Sequence, residues 1–274
     1  MFDTGVFTQS FMIHAWESGT AIAILSAFVG FFIVLKSDSF VAHALPQAGF
    51  SGGAAAVFFG LNPYIGLLIF SLGGAVLIGK IEDERKNDIA TTLTLISTLG
   101  IGMLLISLTN QYAEKAYALL FGQIVGVSAN QVLVTVSTSA VCLLFLLMIW
   151  RPLLFGAVSK EVAESKGIPV RLVNILFLII VALATTVIVP VVGALLAFSL
   201  IIMPSAGSIY LSSNPKYVLL LSIISSILVF WLSILLGYFS GWPIGFFVSA
   251  VGMLWYLFAR SYQLLKNKWK HIIS

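Results

Sequence analysis

Two pairs of ionisable side chains border long apolar runs in this sequence and are the first candidates for chemistry. His14 and Glu17 are three residues apart, and Asp38 and His43 precede a glycine-rich run. Side chains three apart share one face of a helix, and neutral imidazole is the commonest protein ligand of transition metals. His43 is therefore a candidate contact for a divalent cation, and His14, Glu17 and Asp38 are functional candidates because ionisable side chains are costly to place in or beside a membrane. Each also has a structural alternative: the first pair could lie among lipid headgroups, and His43 could be a core histidine bonded to a backbone carbonyl.

The segment that follows His43 predicts an irregular backbone. It reads HALPQAGFSGG, in which Pro46, Gly49 and Gly52 all weaken a helix. We expect the helix to fray here and to expose carbonyl groups. Irregular backbone at membrane depth is tolerated where it lines a polar cavity.

Composition places the chain in a membrane. Of its 274 residues, 60% are hydrophobic and 9% are charged, whereas soluble domains are about 45–50% apolar and about 25% charged. Apolar runs recur along the whole length, which indicates a polytopic integral membrane protein. The single Cys142 excludes an internal disulfide, and no basic residue precedes Lys36, so no cleaved signal peptide is expected. The net charge of +4 gives no indication of nucleic-acid binding.

The apolar runs predict an all-α fold of eight or nine transmembrane helices in one domain, residues 1–274, contacting membrane lipid. The piece 116–126 is too short to cross and predicts a partial helix that dips into the membrane. The candidate spans are 12–35, 40–60, 63–79, 89–108, 130–150, 171–190, 193–211, 217–238 and 243–260.

The distribution of Lys and Arg predicts the orientation. If the C-terminus is cytoplasmic and each run crosses once, all 14 basic residues except Lys115 fall on the inner side, as the positive-inside rule requires. We therefore expect a cytoplasmic C-terminus. An outer N-terminus requires an odd number of spans.

A polar insertion between two spans, Ala157–Val170, predicts a short amphipathic helix at about 157–167, here called the coupling segment. Val158, Val162 and Ala163 fall on one face at helical spacing, with charged residues around the rest. Gly167 and Pro169 would end the helix. By itself the pattern suits either a solvated loop or a handle for a cytoplasmic partner.

Other function classes fit the sequence poorly. GAVLIGKI, residues 74–81, lacks the hydroxyl residue that ends a phosphate-binding loop, so this chain is not expected to bind ATP. A secondary transporter would need buried acids in mid-span, and the spans from 63–79 onward contain none. An intramembrane metalloprotease would need clustered ligands such as HExxH, whereas the three histidines are scattered.

Four segments in order resemble the permease subunits of manganese, zinc and iron ABC importers, the ABC-3 family. They are LKSDSFVAHALPQAG, which is similar to the family pattern GDALSHAxLPG, then FGQIVGVSANQV (121–132), LLFGAVSKEVAESKGIPV (153–170) and VVGALLAFSLIIMPSAGSIYLS (191–212). Together they cover almost the whole chain.

The resemblance implies a non-enzymatic translocation subunit in a bacterial plasma membrane. It implies a second permease protomer, identical or similar, two cytoplasmic ATPases that hydrolyse ATP, and an extracytoplasmic substrate-binding protein. The metal is cargo, and no permanently bound cofactor is expected. The coupling segment would dock on the ATPases. Its expected contact residues are Ser159, Lys160, Glu161, Ala163 and Gly167.

The resemblance also locates a departure from the family. The family histidine matches His43, but the family acid four residues earlier is Ser39 here. Asp38 is offset by one residue, or about 100° on a helix. Either the helix begins after Asp38 and the carboxylate still reaches the path, or the paired ligand is missing. A compensating His14–Glu17 site and a chelate or other small solute as cargo both remain open.

Overall fold

A computed structural model describes residues 9–80, 84–109 and 118–273 and confirms the all-α prediction, since no strand occurs in these ranges. Residues 118–121 are helical, and a 3₁₀ turn follows at Ile124–Gly126. The other helices are α1 Ser10–Leu35, α2 Ser39–Phe58, α3 Pro63–Gly79, α4 Glu84–Ser107, α5 Ala129–Met148, α6 Trp150–Val158, α7 Lys160–Ser165, α8 Val170–Val192, α9 Ala194–Leu211, α10 Pro215–Ser240 and α11 Ile244–Ile273.

A helix lies at each of the nine predicted apolar runs. Within the described ranges, α1, α5, α8, α9, α10 and α11 are six helices long and apolar enough to cross a membrane. Residues 63–79 and 91–107, in α3 and α4, are shorter apolar helices. The polar residues His43 and Gln47 interrupt the apolar sequence of α2. By these criteria the described ranges contain six spans, fewer than the eight or nine predicted, and α2, α3 and α4 lie at the three remaining apolar runs.

Two Asn-Pro pairs set where helices begin. The Asn62 side chain accepts a hydrogen bond from the Tyr64 N–H at 3.0 Å, and Asn214 accepts one from the Lys216 N–H at 3.0 Å. In both cases the proline takes the first helical position, where a missing N–H costs nothing. These caps start α3 and α10 directly after short turns, so consecutive helices run antiparallel.

A tight turn joins α1 to α2. Ser37 lies in the left-handed region at φ 59°, the Ser37 N–H bonds to the Val34 carbonyl and the Asp38 N–H bonds to the Ile33 carbonyl. This is a Schellman ending with serine at the position glycine usually occupies. The turn is short, so the Asp38 and Ser39 backbones are fixed relative to the end of α1.

Basic residues from three helix ends meet at the bundle end that carries this turn. The Lys36 ammonium donates a hydrogen bond to Asn174 Oδ1 on α8, and an Arg171 Nη2 donates to the Lys80 carbonyl at 3.2 Å. The ends of α1 and α3 therefore meet the beginning of α8. We call this the basic end of the bundle.

At the opposite end, the segment 118–127 packs on the junction between α8 and α9. The Gln123 N–H bonds to the Pro190 carbonyl at 3.1 Å. Gly193, at φ 95°, lies so close that a Cβ atom there would approach the Leu120 carbonyl oxygen to 2.4 Å. The family-like segment 121–132 is thus held by a backbone contact that requires glycine.

We predict that Gly193→Ala lowers the free energy of unfolding by about 2–5 kcal/mol, because it combines a left-handed backbone with a direct steric clash. Thermal unfolding of the purified protein in detergent measures the effect. Gly73→Ala is the matched control, since a Cβ at Gly73 meets nothing within 4 Å. Equal melting temperatures for the Gly193 variant and the wild type would contradict the packing described.

Candidate transport site and coupling segment

His43 lies in the second turn of α2, close to the basic end. Its ring is partly buried and meets the Phe198 ring of α9 edge-on, with the ring centroids 5.5 Å apart. An imidazole with partial exposure keeps its nitrogens available for a transient ligand. The structure therefore places the predicted ligand between α2 and α9.

Asp38 is the residue before α2, and Ser39 is the first residue of the helix. The Asp38 side chain does not cap α2; one carboxylate oxygen lies 3.2 Å from the Lys36 ammonium. That ammonium also bonds to Asn174 and lies 5.3 Å from the centre of the Phe177 ring. Helix α2 thus begins after Asp38, as one of the two sequence alternatives required, and the carboxylate pairs with Lys36.

The second candidate pair lies near the other end of α1. His14 Nδ1 is 3.2 Å from the Val127 carbonyl oxygen, to which it can donate, and Glu17 is exposed. About 30 Å of helix separates His14 from the α1–α2 turn at 1.5 Å per residue. The structure therefore does not bring His14 and Glu17 together with His43.

A small cavity lies at this same far end. It has a volume of about 120 Å³, and its lining includes Tyr64, Gln123, Val127, Gln131 and Pro190. The Gln131 amide donates a hydrogen bond to the Tyr64 hydroxyl at 3.0 Å. The cavity is polar on one side and lies near the His14 contact with Val127, not near His43.

The break predicted in α2 is wrong. The helix runs without interruption from Ser39 to Phe58 through Pro46. Proline removes only its own N–H, so the Ala42 carbonyl alone loses its helical donor. Close packing holds the glycine-rich part in helical form: a Cβ at Gly52 would lie 2.0 Å from the Gly66 carbonyl oxygen of α3. Tight helix packing through small residues overrides the weak helix propensity.

Gln47 is a feature that the sequence reasoning missed. Its side chain is 1% exposed, and its carbonyl oxygen has no hydrogen-bond partner among the described residues. It follows His43 by four residues, so the two side chains lie on one face of α2. That i, i+4 spacing was the available signal. Within the described ranges no group of three or more His, Cys, Asp or Glu side chains could hold a metal ion.

The coupling segment contains two short helices, so the prediction of one helix over 157–167 is wrong at its start. The backbone of Ser159 is extended (φ −157°, ψ 113°) and separates α6 from α7. The Ser159 hydroxyl accepts a hydrogen bond from the Val162 N–H at 3.3 Å. Serine favours such capping over a helix interior, because its side chain satisfies the free N–H groups.

The end of the coupling segment is as predicted. Gly167 has φ 74°, its N–H bonds to the Glu164 carbonyl at 2.9 Å, and the Ile168 N–H bonds to the Ala163 carbonyl at 3.1 Å. This is again a Schellman ending. Helix α7 therefore has a defined cap at both ends despite its short length.

The outer surface of this segment combines apolar and charged side chains. Lys160 and Glu161 are exposed, and so are Val158 (73%) and Val162 (50%), whereas Ala163 is fully buried. The prediction that Val158, Val162 and Ala163 form one face is wrong, because the extended Ser159 separates the two helices. The outward valines and charges give this segment a mixed apolar and charged surface.

Residues 8–263 match the model of the ABC 3 transport family. The chain belongs to this family. One relative is ScaB, the manganese import system permease protein of Streptococcus parasanguinis. It is 27% identical to this chain over an alignment of 276 positions, which covers 100% of this chain and 98% of ScaB. ZnuB, a high-affinity zinc uptake system membrane protein of Buchnera aphidicola, is 29% identical over 217 residues, covering 78% and 82%.

A solved structure shares the fold of this ABC 3 family chain. It is PsaBC from Streptococcus pneumoniae in complex with Fab, with a TM-score of 0.83 and 24% identity over 93% of this chain and 92% of the other. Family membership and the apolar helices together identify the chain as a membrane permease of the ABC class.

Proposed function

We propose that this chain is the translocation subunit of an ATP-binding-cassette importer that moves a divalent transition metal, Mn²⁺, Zn²⁺ or Fe²⁺, into the cytoplasm. The carrying observation is the family match over residues 8–263. The manganese and zinc permeases among its relatives support the cargo. The partly buried His43 between α2 and α9 supplies the ligand type that such a cargo requires.

The proposal includes nine crossings of a bacterial plasma membrane by a single domain, residues 1–274. Helices α2, α3 and α4 would add three crossings to the six long apolar spans. The chain would reverse its direction at the turn after each crossing. With the C-terminus in the cytoplasm, an odd number of crossings puts the N-terminus outside. The grouping of Lys36, Lys80 and Arg171 at the basic end supports this orientation.

The proposed source of energy lies outside the chain. Two cytoplasmic ATPase subunits would bind the coupling segments of two permease protomers and hydrolyse ATP. The exposed Val158, Lys160, Glu161 and Val162 would make the contact, while Ser159, Ala163 and Gly167 would hold α7 in place. A substrate-binding protein would deliver the metal at the opposite end, where segment 118–127 and the small cavity lie.

The path requires weak ligation, since capture by four tight ligands would retain a transition metal. One imidazole per protomer, doubled by a two-fold axis, fits that requirement. The His14–Glu17 pair lies at the delivery end, where it could act only as an entry contact. Asp38 and Ser39 lie at the exit end, where the Asp38–Lys36 ion pair must open if the carboxylate is to contact cargo.

Elemental analysis of cells tests the cargo class. Deleting the gene for this chain should lower the cellular content of one of the three metals during metal-limited growth, and the intact gene should restore it. A strain that keeps normal metal content but no longer accumulates a supplied metal chelate would favour the alternative cargo. The serine at the family's acid position is the feature that favours this alternative.

A further inference from the structure

Gln47 is an unusual residue for the interior of α2. The side chain is almost completely buried, yet its carbonyl oxygen receives no hydrogen bond within the described part of the chain. Burying an unpaired amide oxygen lowers stability, and native proteins do so rarely. The unpaired oxygen therefore points to a ligand that binds transiently.

The position of this oxygen relates it to His43. The two residues are four apart in an uninterrupted helix, so Gln47 lies about 6 Å further along the same face. Residue Ser39, another four positions back, begins the same stripe at the basic end. A cation moving along this face would meet the imidazole at one level and the amide oxygen one turn away.

We propose that Gln47 supplies an oxygen ligand to the cation next to His43 and replaces the carboxylate that is missing at Ser39. The inference rests on the proposed function. A neutral amide oxygen is a hard ligand of the kind that suits Mn²⁺, whereas imidazole also suits Zn²⁺. Gln47 thereby biases the path toward Mn²⁺. It binds more weakly than a carboxylate would, which favours release.

The test compares Gln47→Met, similar in length but without the oxygen, with Gln47→Glu, which restores a carboxylate in the same shape. Initial uptake of radioactive Mn²⁺ and of Zn²⁺ is measured in cells that express the full importer. Gln47→Met should lower Mn²⁺ uptake at least about tenfold and Zn²⁺ uptake much less. Gln47→Glu should keep Mn²⁺ uptake near the wild-type rate.

Ser139→Ala is the matched control, because Ser139 on α5 is another buried polar residue whose side-chain oxygen lacks a partner within the described ranges. This variant should leave both rates unchanged. An unaltered Mn²⁺ to Zn²⁺ ratio in Gln47→Met would overturn the inference, whatever the total rate, since a packing defect affects both metals alike. If Gln47→Met does not reach the membrane, the Mn²⁺ to Zn²⁺ uptake ratio is measured in Gln47→Asn instead, whose side chain is one methylene shorter. Absence of metal uptake by the wild type would instead refute the proposed function.

Discussion

Exchanging two charges on the coupling segment, Lys160→Glu together with Glu161→Lys, should uncouple ATP hydrolysis from transport. Both side chains are exposed and flank the outward Val158 and Val162, so the exchange leaves the fold and the net charge intact. It reverses the charge pattern that an ATPase would meet. Juxtaposed like charges at an interface weaken binding strongly, and we expect transport-linked ATPase activity to fall at least about tenfold.

The measurement is ATPase stimulation by the permease in proteoliposomes, with the amount of assembled complex determined in parallel. Lys216→Glu is the matched control, because Lys216 is exposed at the turn between α9 and α10, outside the coupling segment. It should couple normally. Undiminished coupling in the double variant would show that the ATPases bind elsewhere.

The second large effect is expected from His43→Ala. Removing the imidazole takes away the nitrogen ligand that we propose for the cargo, and we expect metal uptake to fall by about 10–100-fold. The ring contact with Phe198 is edge-on at the helix surface, so the fold should tolerate the change. Uptake of Mn²⁺ and Zn²⁺ into vesicles that contain the ATPases measures the loss, with the quantity of permease in the membrane held equal.

The double variant His14→Ala, Glu17→Ala serves as the comparison for His43→Ala. His14 is bonded to the Val127 carbonyl and Glu17 is exposed at the far end, so this variant should import metal at a near-normal rate. The reverse pattern, with loss in the double variant and normal uptake in His43→Ala, would move the essential ligand to the delivery end of the bundle.

Apolar runs of about 20 residues predicted the helices well, because a segment in lipid must satisfy every backbone group internally and a helix does so. Caps encoded in neighbouring residues, such as Asn62-Pro63 and Gly167, are also readable from the sequence. The uninterrupted course of α2 was not readable. It depends on Gly52 meeting Gly66 across the helix interface, a tertiary contact that outweighs local propensity.

The candidate site was predictable only in part. His43 follows from the apolar context and from the family resemblance, whereas the Asp38 carboxylate depends on where Lys36 lies in three dimensions. The sequence shows that Gln47 follows His43 by four residues, but its significance rests on the burial of its amide oxygen without a hydrogen-bond partner in the described part of the chain. The division of the coupling segment at Ser159 reflects competition between a serine cap and continued helix, which composition does not decide.

The most direct measurement of the central claim is ATP-dependent accumulation of free Mn²⁺ in proteoliposomes that contain this permease, its ATPases and its binding protein. The account predicts accumulation that requires ATP on the cytoplasmic side, is inhibited by excess Zn²⁺ and is lost in His43→Ala. Accumulation of a metal chelate but not of free metal, at equal rates with and without the imidazole, would contradict it.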